Sequence, residues 1–140
     1  MRLHVHVGVA NLDQSIAFYS RLFGAMPTKQ EKDYAKWMLD DPKVNFAISL
    51  RASDTVGIGH LGIQADTPAE MTTLAARAKT VSPAAHEEKA TSCCYAKSDK
   101  AWVTDPTGIR WEQFYTFGHS DTLANRPTAN DAQPQARCCA

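Results

Sequence analysis

The chain has 140 residues, of which 44% are hydrophobic, and its 15 basic residues balance its 15 acidic residues. This length and composition predict one globular domain and exclude global disorder, while the zero net charge argues against nucleic acid as a partner. No apolar run approaches the roughly 18 residues of a membrane span, and the N-terminus resembles a strand rather than a signal peptide. We therefore expect a cytoplasmic protein without a membrane partner.

The first half of the chain begins with a predicted strand and helix. Residues 4–11 alternate between apolar and other side chains, as a half-buried strand does. Asn11 is a typical N-cap, and Gly24 is a typical helix stop. Between them lie the apolar helical positions Ile16, Phe18, Tyr19, Leu22 and Phe23.

The same pattern returns in the second half. Residues 60–67 repeat the strand, and Thr67 and Glu70 form a capping box with Pro68 in the first helical turn. The apolar positions of this helix are Met71, Leu74, Ala75 and Ala78. We interpret the recurrence as an internal repeat.

Landmarks after each helix also repeat. A tryptophan and an Asp-Pro pair precede the last strand of each half, at Trp37, Asp41 and Pro42 and again at Trp102, Asp105 and Pro106. These last strands are predicted over residues 44–50 and 109–117. Each half therefore reads as one strand, one helix and three strands.

The predicted fold class is α+β. Two βαβββ modules, at about residues 1–52 and 56–117, are expected to be related by a pseudo-twofold axis and to form one cupped, mixed β-sheet around a metal site. Residues 1–119 make up this domain. Residues 120–140 contain almost no large apolar side chains, which predicts a flexible C-terminal tail.

Two histidines and one carboxylate are the candidate metal ligands and catalytic residues. The repeat places His60 at the position equivalent to His4, and Glu112 interrupts the aromatic, core-forming segment of the last strand. A lone buried carboxylate is costly, and a divalent metal would compensate its charge. The set His4, His60 and Glu112 is typical of ferrous iron sites that keep positions open for substrate or dioxygen.

Two neighbouring positions refine this prediction. Aligning the Asp-Pro landmarks places Ala47 opposite Glu112, so the symmetric fourth ligand is absent. His6 shares the face of His4 because successive side chains of a strand alternate. We favour a supporting or substrate-contacting role for His6 over a role as substitute ligand.

The four cysteines form two adjacent pairs, Cys93-Cys94 and Cys138-Cys139. A disulfide between neighbours closes almost no loop and would add little stability, whereas two adjacent reduced thiols can chelate one soft ion. Small, partly buried filler is the alternative interpretation of such a pair.

Several segments together resemble a known family. They are HVHVGVANLDQSIAFYSRLFG at residues 4–24, DYAKW at 33–37, DDPKVNF at 40–46, GHLGI at 59–63 and TSCCYA at 91–96. Over residues 2–117 the chain resembles the vicinal oxygen chelate superfamily, and more narrowly its branch of carbon-arsenic lyases and cadmium-induced proteins. The specific signal is TSCCYAKSDKAW, which begins at Thr91.

The resemblance implies a function and a cofactor. It implies Fe(II) on His4, His60 and Glu112, with Ni, Co or Mn as possible substitutes in vitro, and capture of trivalent arsenic by Cys93 and Cys94. Members of this branch use dioxygen to cleave the carbon-arsenic bond of trivalent methyl or aryl arsenicals and release arsenite. The expected partners are therefore a small organoarsenical and dioxygen. Some relatives carry Gln at the position of His4, which leaves the native metal open.

Five further residues are candidate accessories, together with His6. Lys97 and Lys100 flank the cysteine pair and could lower its thiol pKa values, or could serve solubility alone. Tyr95 could line an aryl-binding wall, as could the two repeat-equivalent tryptophans, although such aromatics are more often core. Cys138 and Cys139 could capture arsenicals on the tail and pass them to the first pair.

Two alternatives stay open at this point. One is another metal-dependent enzyme on the same scaffold, such as a glyoxalase or a fosfomycin-type thiol transferase. The other is a non-catalytic resistance protein that binds cadmium or arsenite on its thiols. The sequence also leaves open whether the modules pair within a monomer or across a swapped homodimer.

Overall fold

In the computed structural model, residues 1–50 and 56–121 are described, and they form eight strands and two helices. The elements of the first half are β1 (Arg2–Gly8), α1 (Leu12–Phe23), β2 (Lys29–Glu31), β3 (Tyr34–Asp40) and β4 (Lys43–Ser49). Those of the second half are β5 (Gly57–Ala65), α2 (Pro68–Val81), β6 (His86–Cys93), β7 (Ala96–Thr104) and β8 (Arg110–His119). Each half has the predicted sequence of elements.

The strands form one mixed sheet in the order β2-β3-β4-β1-β5-β8-β7-β6. The pairs β1–β4 and β5–β8 are parallel, and the other neighbours are antiparallel. From the centre outward, each half contributes its first, last, third and second strand. The α+β fold class is confirmed, whereas a pseudo-twofold relation of the halves in space stays a prediction.

Helix α1 begins and ends where the sequence predicts. The Asn11 side chain accepts a hydrogen bond from the Gln14 amide, and Gly24 adopts a left-handed conformation with a φ of 64°. Ile16 is buried in the core cluster around Trp37. Phe18 and Leu22, two of the predicted apolar positions, are 60% and 63% exposed, because one face of the helix covers the sheet and they lie on the other.

Helix α2 begins at the predicted cap. The Glu70 amide donates to the Thr67 hydroxyl, but the Glu70 carboxylate reaches the amide of Asp66 rather than that of the cap residue. The four predicted apolar positions are buried: Met71, Leu74, Ala75 and Ala78. Neither of the two helices in the described ranges is long and apolar enough to cross a membrane.

The helices leave one face of the sheet free to line a cavity. Ala35 and Trp37 of β3 pack in the α1 cluster, while Lys36 between them lines the cavity. The turn after β6 contacts residues of β2 and the β2–β3 region, which come from the opposite end of the strand order. The sheet therefore curls until its two outer hairpins meet.

The predicted tail begins at residue 120, and residues 122–140, with Cys138 and Cys139, lie outside the described residues.

Candidate metal and thiol site

The three candidate ligands lie on three adjacent strands at the centre of the sheet. His4 of β1 and Glu112 of β8 flank Gly62 of β5 in one row of the sheet. His60 lies two residues before Gly62 and so projects from the same face. All three side chains are buried. Sequence positions far apart are thus brought to one point by strand register.

The ligand atoms converge closely. Nε2 of His4 lies 3.1 Å from Nε2 of His60, and Oε2 of Glu112 lies 3.3 Å from the His60 atom and 3.7 Å from the His4 atom. One atom from each side chain falls within 4.8 Å of the others, and such a group could hold a metal ion.

The protonation states suit a divalent cation. Burial lowers the pKa of His4 from 6.5 to about 4, although Glu112 opposes the shift. Nδ1 of His4 lies 3.0 Å from the Asn45 carbonyl oxygen, to which it can donate its proton, leaving the lone pair of Nε2 for a metal. Burial by itself would raise the pKa of Glu112, but Lys100 and the two histidines hold that pKa well below its usual range. A carboxylate and a neutral histidine are therefore available as ligands.

Sheet register accounts for the absent fourth ligand. His6 pairs with Ala47 between β1 and β4, as Gly62 pairs with Glu112 between β5 and β8. Ala47 therefore has the place in the first half that Glu112 has in the second.

A Cβ on Gly62 would collide with the backbone carbonyl of Glu112, so glycine at this position allows β8 to approach β5.

The two candidate lysines point in opposite directions. Lys100 is buried, and its ammonium group donates to Oε1 of Glu112 at 2.5 Å. Its charge is therefore directed to the candidate metal ligand, a contact that the spacing of Lys100 from the cysteines did not indicate. Lys97 is exposed on the other face of β7. We assign Lys97 to the solvated surface, as the plainer interpretation of the sequence predicts.

The sequence analysis did not predict that a third lysine would lie near the cysteines. Lys36 of β3 lines the same cavity as Cys93 and Cys94. Burial lowers the pKa of Lys36, as does the neighbouring Lys29, while Cys94 acts in the opposite direction. Because Lys36 comes from the other half of the chain, no local motif around the cysteines could have indicated it.

Cys93 and Cys94 lie at the tip of the β6–β7 hairpin. Cys93 ends β6, and the two-residue turn consists of Cys94 and Tyr95, whose φ values are 55° and 60°. Such tight turns usually place Asn or Gly at these left-handed positions, and other residues there cost on the order of 1–3 kcal/mol each. The turn sets the two sulfur atoms 3.1 Å apart. Both residues line the cavity, and Cys93 is disulfide-bonded in the structure, so the pair could meet a single ion only after reduction.

Contacts between Tyr95 of this turn and the β2–β3 hairpin at the opposite end of the sheet hold the turn in place, and we call these contacts the clasp. The Tyr95 hydroxyl donates to Asp33 at 2.7 Å, and the Lys29 ammonium donates to the Tyr95 carbonyl oxygen at 3.1 Å. The Tyr95 ring also packs against Tyr34. Burial, with help from Asp33, raises the pKa of Tyr95 to about 12. Tyr95 is thus a closing contact and part of a small buried cluster, and its role in an aryl-binding wall stays a prediction.

Of the two repeat-equivalent tryptophans, one lies in the core and the other lies beside a candidate metal ligand. Trp37 is fully buried beneath α1. Trp102 is buried beside the His60 ring, with ring centroids 5.2 Å apart. The cavity itself has a volume of about 40 Å³ and runs from the candidate metal ligands to the cysteine pair, with Tyr34, Phe114 and Thr116 among its walls.

A family model matches most of the chain. Residues 2–113 match the model of the Glyoxalase/Bleomycin resistance protein/Dioxygenase superfamily. A protein of Bacillus sp. (strain MD1), named trivalent organoarsenical cleaving enzyme, is 41% identical over 97% of this chain and 88% of its own length. One of the same name from Thermomonospora curvata is 38% identical over 88% of this chain and 82% of its own length. The cadmium-induced protein CadI of Mycobacterium tuberculosis is 31% identical over 99% of this chain and 92% of its own length.

Solved structures share the fold. An extradiol ring-cleaving dioxygenase from B. fuscum has a TM-score of 0.63 and 17% identity, and the match covers 88% of this chain and 34% of that one. The Mn(II)-bound glyoxalase from Novosphingobium aromaticivorans has a TM-score of 0.58 and 19% identity over 91% of this chain and 41% of that one. At such identities the likeness establishes the architecture.

Proposed function

The chain belongs to the glyoxalase/bleomycin resistance protein/dioxygenase superfamily, and from this premise we propose that it is an Fe(II)-dependent dioxygenase that cleaves the carbon-arsenic bond of trivalent organoarsenicals. The relatives named trivalent organoarsenical cleaving enzyme support an enzyme of this kind. One structural observation carries the proposal: the cysteine pair and the two-histidine-one-carboxylate group line the same cavity.

The cysteine pair would hold the arsenic. Thiolates are soft ligands and trivalent arsenic is a soft centre, whereas the nitrogen and oxygen atoms of the other group suit a harder ion. Once both thiols are reduced, two sulfur atoms at this spacing of 3.1 Å could bond to one arsenic atom. The two thiol protons would leave with two hydroxide groups of the arsenical as water, and the arsenic would keep its organic group as third substituent. The organic group would then project along the cavity toward the histidines.

His4, His60 and Glu112 would hold the iron. Bound there, ferrous iron would supply redox chemistry toward dioxygen. The Asn45 carbonyl oxygen accepts a hydrogen bond that orients His4. The Lys100 ammonium group donates to Oε1 of Glu112, while Oε2 is the oxygen that lies near the two histidines. These residues keep one carboxylate oxygen and the Nε2 atom of His4 aimed into the cavity.

Separation by ligand softness gives the two ends different tasks. The thiol end would bind and position the substrate, and the histidine end would hold the metal that supplies the redox chemistry. Holding both reactants in one narrow cavity replaces a chance encounter with a fixed one, which can remove several kcal/mol of the barrier. Tyr34 and Phe114 add aromatic surface to the walls of this cavity.

A turnover assay tests the proposal. The protein is loaded anaerobically with Fe(II) and given a trivalent methyl or aryl arsenical, and air is then admitted. We expect oxygen uptake and release of inorganic arsenite over many turnovers, measured by an oxygen electrode and by arsenic speciation. The metal-free protein and a Cys93→Ser/Cys94→Ser variant are the controls, and neither should release arsenite.

Other outcomes would select the alternatives. Uptake of about one equivalent of arsenical or cadmium per protein, without oxygen consumption, would indicate a sequestering resistance protein. Metal-dependent turnover of a glutathione hemithioacetal or of fosfomycin, without arsenite release, would indicate a glyoxalase or a thiol transferase. Either result would contradict the proposed reaction.

A further inference from the structure

Each candidate metal ligand needs a second contact that fixes its orientation. Nδ1 of His4 has the carbonyl oxygen of Asn45, and Glu112 has the ammonium group of Lys100. His60 differs from both. Its Nδ1 atom is buried and has no hydrogen-bond partner among the described residues.

Two aromatic rings contact His60 instead. The His6 ring stacks on it with centroids 4.8 Å apart and planes inclined by 8°. The Trp102 ring meets it at 5.2 Å with an inclination of 76°. His6 and Trp102 are 2% and 6% exposed, so neither ring has room to swing away. The plane of the His60 ring is therefore set by packing.

His6 is itself fixed from two sides. Its Nε2 atom lies 2.9 Å from the Ser49 hydroxyl oxygen. On the adjacent strand, a Cβ at Gly59 would come within 2.8 Å of Nδ1 of His6, which is closer than real Cβ contacts come. The ring of His6 thus occupies the space that the missing side chain of Gly59 leaves.

We propose that His6 is a positioning residue, which aims Nε2 of His60 at the metal by ring stacking rather than by a hydrogen bond. The proposal rests on the metal site of the proposed function. Within residues 1–50 and 56–121, the group that could hold one ion consists of His4, His60 and Glu112, so His6 acts through His60. What His6 supplies to His60 is a flat ring, and the contact of its Nε2 atom with Ser49 helps to hold that ring in place.

Substitutions that keep or remove the flat ring test the proposal. His6→Phe keeps a ring without nitrogen, whereas His6→Leu has similar bulk but no ring. Co(II) is titrated into each variant, with affinity and the visible absorption spectrum as readouts. We expect His6→Leu to bind Co(II) roughly 10–100-fold more weakly with an altered spectrum. His6→Phe should retain most of the affinity and the wild-type spectrum.

Ser49→Ala is the matched control, because it removes the hydrogen bond of His6 but leaves the ring. Thermal denaturation of each metal-free variant checks the fold. Should His6→Leu fail to fold, Gly59→Ala provides the second test, since its Cβ displaces the His6 ring and should weaken Co(II) binding.

Two outcomes would overturn the proposal: wild-type Co(II) affinity in folded His6→Leu, or an equal loss in His6→Phe and His6→Leu. Neither outcome would contradict the proposed reaction. That reaction would be contradicted if the wild-type protein bound no Co(II) at all, or if it bound iron but showed no turnover.

Discussion

The two ends of the cavity are built in opposite ways. At the metal end, the candidate ligands project from three central strands, and backbone pairing on both sides of each strand sets their spacing. At the sulfur end, the cysteines lie at the tip of an outer hairpin, where two residues adopt left-handed conformations and the clasp holds them. Register fixes one end, and a few side-chain contacts fix the other. The two ends should therefore respond separately to mutation.

Removal of a metal ligand should have the largest effect. His4→Ala, His60→Ala or Glu112→Ala removes one of the three candidate ligands found in residues 1–50 and 56–121, and we expect each change to abolish tight iron binding and turnover. The cysteine pair should still bind a trivalent arsenical, because it belongs to the other end. Metal analysis after anaerobic Fe(II) loading provides the measurement. Full iron content in His4→Ala together with its loss in His6→Ala would show that His6, rather than His4, is the ligand.

Replacing the thiols should have the converse effect. Cys93→Ser and Cys94→Ser substitute a hard, weakly acidic oxygen for a soft sulfur, so we expect loss of arsenical binding with iron content unchanged. Titration with an aryl arsenical, followed by tryptophan fluorescence, measures the first quantity. If both variants lost iron as well, the pair would be part of the metal site, as a cadmium-binding protein requires.

Gly62→Ala tests the dependence of the metal end on register. The added Cβ points at the backbone carbonyl of Glu112, so β8 must shift from β5, and overpacking of this kind costs about 1–3 kcal/mol. We expect weaker iron binding and a lower melting temperature. Gly118→Ala, on β8, is the control, since its Cβ would meet only the Lys97 side chain at ordinary contact distance. Equal behaviour of the two variants would argue against the tight approach at Gly62.

Tyr95→Phe tests the clasp. Loss of the hydrogen bond to Asp33 should lower the free energy of unfolding by about 1 kcal/mol and weaken arsenical binding, while iron affinity stays unchanged. Because the pKa of Tyr95 is raised from 10.0 to about 12 in the folded protein, its stabilising effect is complete below pH 10 and is lost as the pH rises to 12. The difference in unfolding free energy between wild type and variant should therefore shrink over that interval. A constant difference would contradict the assignment.

Deletion of residues 125–140 should have the smallest effect. The sequence predicts that the tail lies outside the packed domain, so the melting temperature, iron content and turnover at saturating arsenical should be unchanged. Slower turnover restricted to low arsenical concentration would show that Cys138 and Cys139 deliver substrate. Identical kinetics at every concentration would remove that role.

The structural features that were predicted correctly are encoded by short local motifs or by the internal repeat. Caps such as Asn11 and Thr67 act within one helical turn, so the pattern alone located both helices. The repeat supplied the pairing of His4 with His60, and Glu112 was conspicuous because a carboxylate interrupts an aromatic strand. The structure brings these three side chains together, while their role as ligands stays a prediction.

Contacts between distant segments were the part that the sequence did not indicate. The bond between Tyr95 and Asp33 depends on how far the sheet curls, and nothing near either residue encodes that curvature. The sequence left Lys100 as either an activator of the nearby cysteines or a solubilising residue, but strand alternation turns it toward Glu112. The exposure of Phe18 has a similar origin, because periodicity shows which residues are apolar but not how wide a stripe the sheet will cover.

The placement of the candidate ligands on the first, fifth and eighth strands determines when, during protein synthesis, the site can form. His4 and His60 are 56 residues apart, and Glu112 is on the last strand of the sheet. A chain emerging from the ribosome at about 5–20 residues per second has all three only after β8 has been made. Iron would thus be taken up by the finished protein rather than by a nascent one. If these residues hold iron as proposed, the ion would be kept away from exposed, unfinished chain, and iron content would measure the fraction of molecules that have completed folding.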